Sequence, residues 1–380
     1  MTLSRFPLCT LPPEAEALRE PVRAFLRREL GARPRPLAGK SWMGYDAEFT
    51  RKLGAQGWIG VTWPKRYGGG EMSAFARYVI VEELLAAGAP VIAHWIADRQ
   101  SGPLILRYGT EAQREFFLPA ICRGEMSFCI GMSEPDSGSD LASIRTRARR
   151  ADGGWRINGT KIWTSNAHRC DYMITLVRTA DAAEKHQGLS QFLVDLKAAG
   201  LSIRPIRDLT GDNSFNEVVF QDVFVGDDRL VGQEGNGWAQ VVAELALERS
   251  GPERFLSCHA LVKELIDRLG TKPDTRAAMV IGGIVSKLAV YRQMSLSIAA
   301  RLNKGENPAT EAAYVKDLGV TLEQDIPEMI HGLMESTPSL GGEDYEKLLA
   351  YITQFAPSFS LRGGTREILR GIIARGLGVR

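Results

Sequence analysis

The 380-residue sequence is poor in cysteine and histidine, has no surplus of either charge and holds no long apolar run. Each shortage removes a class of protein. The five cysteines, Cys9, Cys122, Cys129, Cys170 and Cys258, are odd in number, widely spaced and form no Cys-x-x-Cys pair. A disulfide framework is therefore not expected, and a reducing cytoplasm is the expected compartment. The five histidines, His94, His168 and His259 among them, show no metal-ligand spacing, so no metal is expected. Lys plus Arg total 47 against 45 Asp plus Glu. That balance supplies no whole-protein field for nucleic acid or an anionic membrane, so an anionic ligand must be gripped locally. No window reaches the roughly 18 uninterrupted apolar residues of a membrane helix. Met1 to Pro13 has one early Arg5 and an apolar run broken by Pro7, too interrupted for a signal-peptide core.

What is present suffices for two or three domains, each burying its own core. From Pro13 to about Gly124 the apolar spacing is helical, at Leu18, Val22, Phe25 and Leu26 and again at Tyr78, Val81, Leu84 and Leu85. Between these stretches the Gly- and Pro-dense run from Gly57 to Gly70 demands turns. Near Met126 the rhythm changes to short β-rich runs, expected at 144–149, 172–177, 191–194 and 218–225. Asp152-Gly153-Gly154, Asn158-Gly159 and Gly211-Asp212-Asn213 read as the turns that separate strands. After Gly235-Asn236-Gly237 the helical period returns at Trp238, Val241, Val242, Leu245 and Leu247. The expected organisation is α+β: a helical domain over 1–125, a β domain over 126–234 and a helical bundle over 235–380.

Two segments carry chemistry. Phe128-Cys129-Ile130-Gly131-Met132-Ser133-Glu134-Pro135-Asp136-Ser137-Gly138-Ser139-Asp140 joins a strand to a loop of small polar residues. Such a loop suits a phosphate or a flavin ring, and equally an ordinary Ser/Gly/Asp turn. Asn158-Gly159-Thr160-Lys161-Ile162-Trp163-Thr164-Ser165-Asn166 reads as a hairpin turn followed by an aromatic and two hydroxyls. Its Trp163 suits a flavin cover or a core position. The basic cluster Arg145, Arg147, Arg149 and Arg150 alternates along a strand and reads as a solvated face.

Taken in order with the Gly57–Gly70 loop, Asn216 to Val225, Leu230 to Trp238 and the terminal Gly364-Thr365-Arg366-Glu367-Ile368, these motifs closely resemble the acyl-CoA dehydrogenase family over nearly the whole chain. The resemblance implies a helical N-terminal domain, a central β domain and a C-terminal four-helix bundle, with FAD between the latter two. It implies flavin contacts at Ile130, Met132, Ser133, Trp163, Ser165, Thr365 and Glu367. It further implies substrate contacts at Ser139, Arg249 and Gly363, an acyl-CoA substrate, and electron transfer to an electron-transfer flavoprotein.

The family reaction removes a proton from the carbon beside the thioester and needs a carboxylate base. In many members that base is a Glu immediately before the terminal Gly-Thr, where this chain has Gly363. A second branch, including isovaleryl-type enzymes, supplies a Glu from the first long C-terminal helix, directly before an Arg. Glu248-Arg249 resembles that pattern, which makes Glu248 the expected base, with Gly363 leaving room for it and offering a backbone N–H. Glu244, one turn earlier on the same face, reads as a backup base or a solvated charge.

The chain departs from the family after its first C-terminal helix. Typical members carry an Arg-x-x-Phe-Gly segment there that holds the FAD pyrophosphate of a neighbouring subunit, and Leu269-Gly270-Thr271-Lys272-Pro273-Asp274 stands in its place. Three readings stay open: a homodimeric or homotetrameric dehydrogenase, a half-site subunit of an α2β2 heteromer, and an oxygen-using flavoenzyme of the same fold.

Overall fold

The computed structural model describes residues 6–31, 35–249, 251–334 and 342–379, apart from the side chains of Arg35 and residues 245–248. The spacing at Val22, Phe25 and Leu26 becomes α1, Arg19–Leu30, with those three side chains buried on one face. Helix α2, Ala47–Ala55, starts where Asp46 accepts the Phe49 N–H at 2.9 Å. Helix α3, Ala74–Ala86, is capped by Ser73 and buried nearly all round. Helix α4, Glu111–Cys122, opens with a reciprocal Thr110–Gln113 capping box.

Seven strands form one sheet: β1 Phe128–Gly131, β2 Arg147–Ala151, β3 Gly154–Ser165, β4 Tyr172–Arg178, β5 Leu189–Asp195, β6 Leu201–Ile206 and β7 Phe215–Gly226. Their order is β1-β4-β2-β3-β7-β6, with β5 also paired to β4. Trp155, Ile157, Val218, Phe220, Val223 and Val225 alternate inward and close the core of this sheet against Phe192 and Val194.

Two local expectations are corrected, and one further strand is present. The strand read over 144–149 begins only at Arg147, because the Glu134 carboxylate takes the N–H groups of Arg145 at 2.6 Å and Thr146 at 2.9 Å and holds them off the ladder. Asn158-Gly159 is no hairpin turn: it sits inside β3, where the register shifts between Ile157 and Gly159. There Asn158 Oδ1 accepts the Asp222 N–H at 2.8 Å, and a Cβ on Gly159 would meet Thr146 Oγ1 at 2.4 Å. Strand β6 lacks the expected signature because it contains Pro205, which its edge position tolerates.

The C-terminal region is helical: α5 Gly237–Glu248, α6 His259–Leu269, α7 Thr275–Asn303, α8 Ala309–Met334, α9 Glu343–Phe355 and α10 Arg366–Gly376. The expected α+β order of helical, β and helical segments is what the chain adopts. By its internal contacts the chain forms two bodies, one of residues 46–71 and 92–247, carrying the sheet, and one of residues 1–45, 72–91 and 248–380.

In the second body α3 brings two buried carboxylates into apolar surroundings, and cations come with them. Arg19 and Arg292 pair with Glu82 at 3.0 and 2.6 Å, and Arg23 pairs with Glu83 at 2.7 Å. His259, at the start of α6, is held below the ordinary imidazole value near 6.5 by burial first and by Lys263 second. A depressed imidazole stays neutral in the fold while the unfolded chain takes up the proton, so stability is intact above 6.5 and falls as pH drops below it. Urea denaturation of His259→Gln is expected to show a shallower loss of stability than wild type between pH 6.5 and about 5. Equal slopes would show that the imidazole contributes nothing to acid sensitivity.

Candidate active site

The loop after β1 and the end of β3 are joined by a buried ion pair. Lys161 is fully buried, and its Nζ donates to the Met132 carbonyl at 3.0 Å and to Glu134 Oε1 at 2.8 Å. Burial pushes the ammonium down to about 8 against the opposing charge of Glu134. Burial also pushes the Glu134 carboxyl up, but Lys161 and the Thr146 and Arg145 donors together hold it below the usual carboxylate range. The Ser133 carbonyl accepts the Ile162 N–H at 2.9 Å, a second tie between the same segments.

Immediately past Lys161 the register with β7 shifts again, and Trp163 falls in that irregularity with φ at +60°. A bulky residue in left-handed backbone is strained, and such strain concentrates at functional positions. The shift turns the Trp163 ring outward, 58% exposed and edge-on to Phe215 at 6.2 Å. Asn166 also has positive φ, is 5% exposed, and its Nδ2 has no hydrogen-bond partner, as is true of buried Thr164 Oγ1. Ile130, Met132, Ser133 and Ser165 are partly buried, and Met132 packs against Ile144, Leu176, Leu189 and Val241. The structure thus gathers Met132 and Ser133 against the strand that bears Trp163 and Ser165. Ser139 lies on the exposed part of the loop, beside Asp140, whose carboxylate pairs with Lys185 at 2.7 Å.

In the other body the predicted residues meet at one turn. Gly363 and Gly364 have φ of +66° and +95°, backbone that glycine adopts at little cost. Arg249, buried, donates Nε to the Gly363 carbonyl at 3.2 Å, and fully buried Lys316 donates to the Gly364 carbonyl. Arg362 binds Glu323 at 2.8 Å and Ser257 Oγ at 2.8 Å, with its guanidinium 4.4 Å from the Trp42 ring centre. Burial lowers Arg362 to about 10 and raises Glu323, each opposed by the charge of the other. Thr365 Oγ1 caps α10 through the Ile368 N–H at 3.5 Å. Glu367 lies exposed in the first turn, its carboxyl lowered by its own N–H and by Thr365.

Glu248 ends α5, and its side chain lies outside the described residues. Glu244 is not a solvated charge: it is 4% exposed and accepts from Gln191 Nε2 at 3.3 Å. Sequence reading assigned no role to Lys161, Lys316 or Arg362. The signal for Lys316 was available, since Ala312, Lys316, Gly319, Val320 and Glu323 share the buried face of α8. A cation on an apolar stripe needs a partner. Among the described residues no group of three His, Cys, Asp or Glu side chains has metal-binding geometry, and no helix is long and apolar enough to cross a membrane.

The chain has an α+β architecture with an exposed, strained aromatic beside a strand-to-loop segment, and comparison with known proteins supplies the family. Residues 12–125 match the acyl-CoA dehydrogenase N-terminal domain and residues 129–223 the acyl-CoA dehydrogenase middle domain. Acyl-CoA dehydrogenase IpdE1 of Mycolicibacterium smegmatis is 32% identical over 95% of this chain and 96% of its own length. Acyl-CoA dehydrogenase FadE34 of Mycobacterium tuberculosis is 36% identical over 86% of this chain, which spans only 45% of that longer protein. A solved structure, the Tcur3481-Tcur3483 steroid ACAD, superposes with a TM-score of 0.86 at 27% identity, covering 97% of this chain and 98% of that one. The chain belongs to the acyl-CoA dehydrogenase family, FAD-dependent oxidoreductases.

FAD suits the residues present. The unpaired, buried Asn166 Nδ2 and Thr164 Oγ1 and the outward Trp163 ring give that end of β3 polar atoms and a flat apolar face for a heteroaromatic ring. Glu134→Gln leaves the Lys161 ammonium buried without its counter-charge and is expected to cost about 3 kcal/mol. The double variant Glu134→Gln/Lys161→Met, read by chemical denaturation, is expected to recover part of that loss. A single variant as stable as wild type would show that the pair does not hold this segment together.

Proposed function

We propose that this chain dehydrogenates the acyl part of a coenzyme A thioester, with Glu248 as the base that takes the proton from the carbon beside the thioester. The observation that carries the reading is the 3.2 Å bond from Arg249 to the Gly363 carbonyl. It ties the residue next to Glu248 directly to the position where many relatives hold their base. FAD, when bound, supplies the hydride acceptor. Ile130, Met132, Ser133, Trp163 and Ser165 would hold its ring, Thr365 and Glu367 would make further cofactor contacts, and Ser139 would meet the coenzyme A arm. The Gly363 region polarises the thioester carbonyl through backbone N–H groups, which acidifies the proton that Glu248 removes. The three segments 1–125, 126–234 and 235–380 serve as the domains of this enzyme, and an electron-transfer flavoprotein takes up its electrons.

Anaerobic addition of a thioester panel, including straight, branched and steroid-derived acyl groups, is expected to bleach the flavin in wild type. Glu248→Gln is expected to slow bleaching by roughly 10³-fold without loss of bound flavin. Bleaching at the wild-type rate in that variant removes Glu248 as base. Hydrogen peroxide formed at the turnover rate without another acceptor would instead identify the oxygen-using member of the fold.

A second reading, the half-site subunit of a heteromer, is favoured by Leu269–Asp274 standing where relatives carry their cross-subunit Arg segment. The neighbours named for two chains, Tcur3481-Tcur3483 and the ChsE4-ChsE5 complex of Mycobacterium tuberculosis, support the same reading. Helix α7 offers a surface for a partner: Met279 and Val290, on one face of the helix, are 73% and 55% exposed. Purified alone, the chain is expected to hold substoichiometric FAD, and co-expression with a homologous chain is expected to raise it to stoichiometric. Full FAD occupancy in the chain alone, with the mass of a homo-oligomer by light scattering, would decide for the homomeric enzyme.

A further inference from the structure

The arginines at 145, 147, 149 and 150 do not form one solvated face. Arg150 turns to Asp227 at 2.6 Å and lies 4.0 Å from the Trp155 ring centre. Arg145 and Arg147 instead line a cavity of about 490 Å³ with Ser143, Arg178, Asp181 and Lys185, all in the sheet-bearing body. Its lining holds four cations and a single carboxylate. A chain balanced at 47 basic and 45 acidic residues concentrates positive charge at this place.

One residue joins the walls. Arg178, last in β4, donates to the carbonyls of Ala142 at 2.9 Å and of Lys185 and Gln187 at 3.2 Å each. Its guanidinium thereby ties the turn that follows Ser139 and Asp140 to the loop that follows β4. Arg145 is set from the other side, because Glu134 accepts its N–H at 2.6 Å and keeps it off the β2 ladder. Ile144, also in the lining, packs in the same apolar cluster as Met132. Residues 132–147 thus run from the expected flavin contacts, past Ser139, to the cavity.

The cations have partners that an anion can replace. Lys185 pairs with Asp140 and Arg147 with Asp181, each at 2.7 Å, but those carboxylates are 56% and 80% exposed. Arg145, 82% exposed, meets Asp136 only at 3.7 Å. Ion pairs so exposed contribute little, so an entering group of higher charge displaces the carboxylates at small cost. A phosphate monoester brings about two negative charges at neutral pH and three acceptor oxygens, whereas a phosphate inside a pyrophosphate link carries a single charge.

We propose that this cavity takes the 3′-phosphate at the nucleotide end of the coenzyme A thioester, with Arg145 and Lys185 as the residues that select it. This rests on the acyl-CoA reading above and deepens it. The carrier of the acyl group is then the free nucleotide rather than a phosphopantetheine arm attached to a protein, which has no 3′-phosphate. Arg178 shapes the cavity through its carbonyl contacts.

The test places one acyl group on coenzyme A, on 3′-dephospho-coenzyme A and on pantetheine, and uses the FAD-loaded assembly, with its partner chain if one is required. Wild type is expected to favour the coenzyme A thioester over the dephospho form by about tenfold or more in kcat/KM, carried by KM. In Arg145→Gln/Lys185→Gln that preference is expected to fall below about threefold, and the charge-reversed Arg145→Glu is expected to reduce it as well. Independently of turnover, adenosine 3′,5′-bisphosphate is expected to bind the wild-type holoprotein about tenfold more tightly than 5′-AMP by titration calorimetry, and to lose that advantage in the double variant. Equal kcat/KM for the coenzyme A and dephospho thioesters in wild type overturns the inference and leaves the acyl-CoA reading standing. So does an equal loss on both thioesters in the double variant, which marks the two cations as structural. Loss in that variant of a preference for the dephospho over the pantetheine thioester, with discrimination for the 3′-phosphate intact, moves the cavity to the pyrophosphate and overturns the assignment. If none of the three thioesters bleaches the flavin of wild type, the acyl-CoA reading falls and takes this inference with it.

Discussion

A buried ammonium and a buried carboxylate, Lys161 and Glu134, set the conditions under which the sheet-bearing body forms its candidate flavin edge. Two ions at 2.8 Å in a dry interior are tolerable only when their remaining hydrogen-bonding capacity is met. Lys161 meets it with the Met132 carbonyl, and Glu134 with the N–H groups of Arg145 and Thr146. The same contacts pull the loop after β1 onto β3, keep residues 145 and 146 out of β2, and leave the strand to break register at Trp163. Fold and site share one electrostatic constraint.

The second body uses the same principle with other atoms. Its buried cations do not pair only with carboxylates: Arg249 and Lys316 also donate to carbonyl oxygens of a double-glycine turn, while Arg362 takes Glu323.

Much of the architecture was legible. Helical spacing located α1, α3 and α5, and turn chemistry at Asp152-Gly153 marked the β2–β3 hairpin. The motif order was enough to place the chain in its family. The failures have specific causes. Asn158-Gly159 has the composition of a turn, but Thr146 and Asp222 recruit it into a bulge within a long strand. Glu244 follows a surface-like helical pattern, yet Gln191 from β5 receives it in the interior. In each instance the deciding partner lies far away in sequence.

The sequence by itself determined most of the helices, part of the strands and the family, because periodicity, caps and ordered motifs are local properties written into successive residues. It also named Glu248-Arg249 and Gly363 as a pair of linked departures. Only the tertiary structure decided that Arg249 reaches the Gly363 carbonyl, that Lys161 and Lys316 are buried, and that Trp163 is turned outward. Those outcomes depend on which atoms of separate segments satisfy one another once water is removed, and long-range partnership of that kind has no signature in the order of residues.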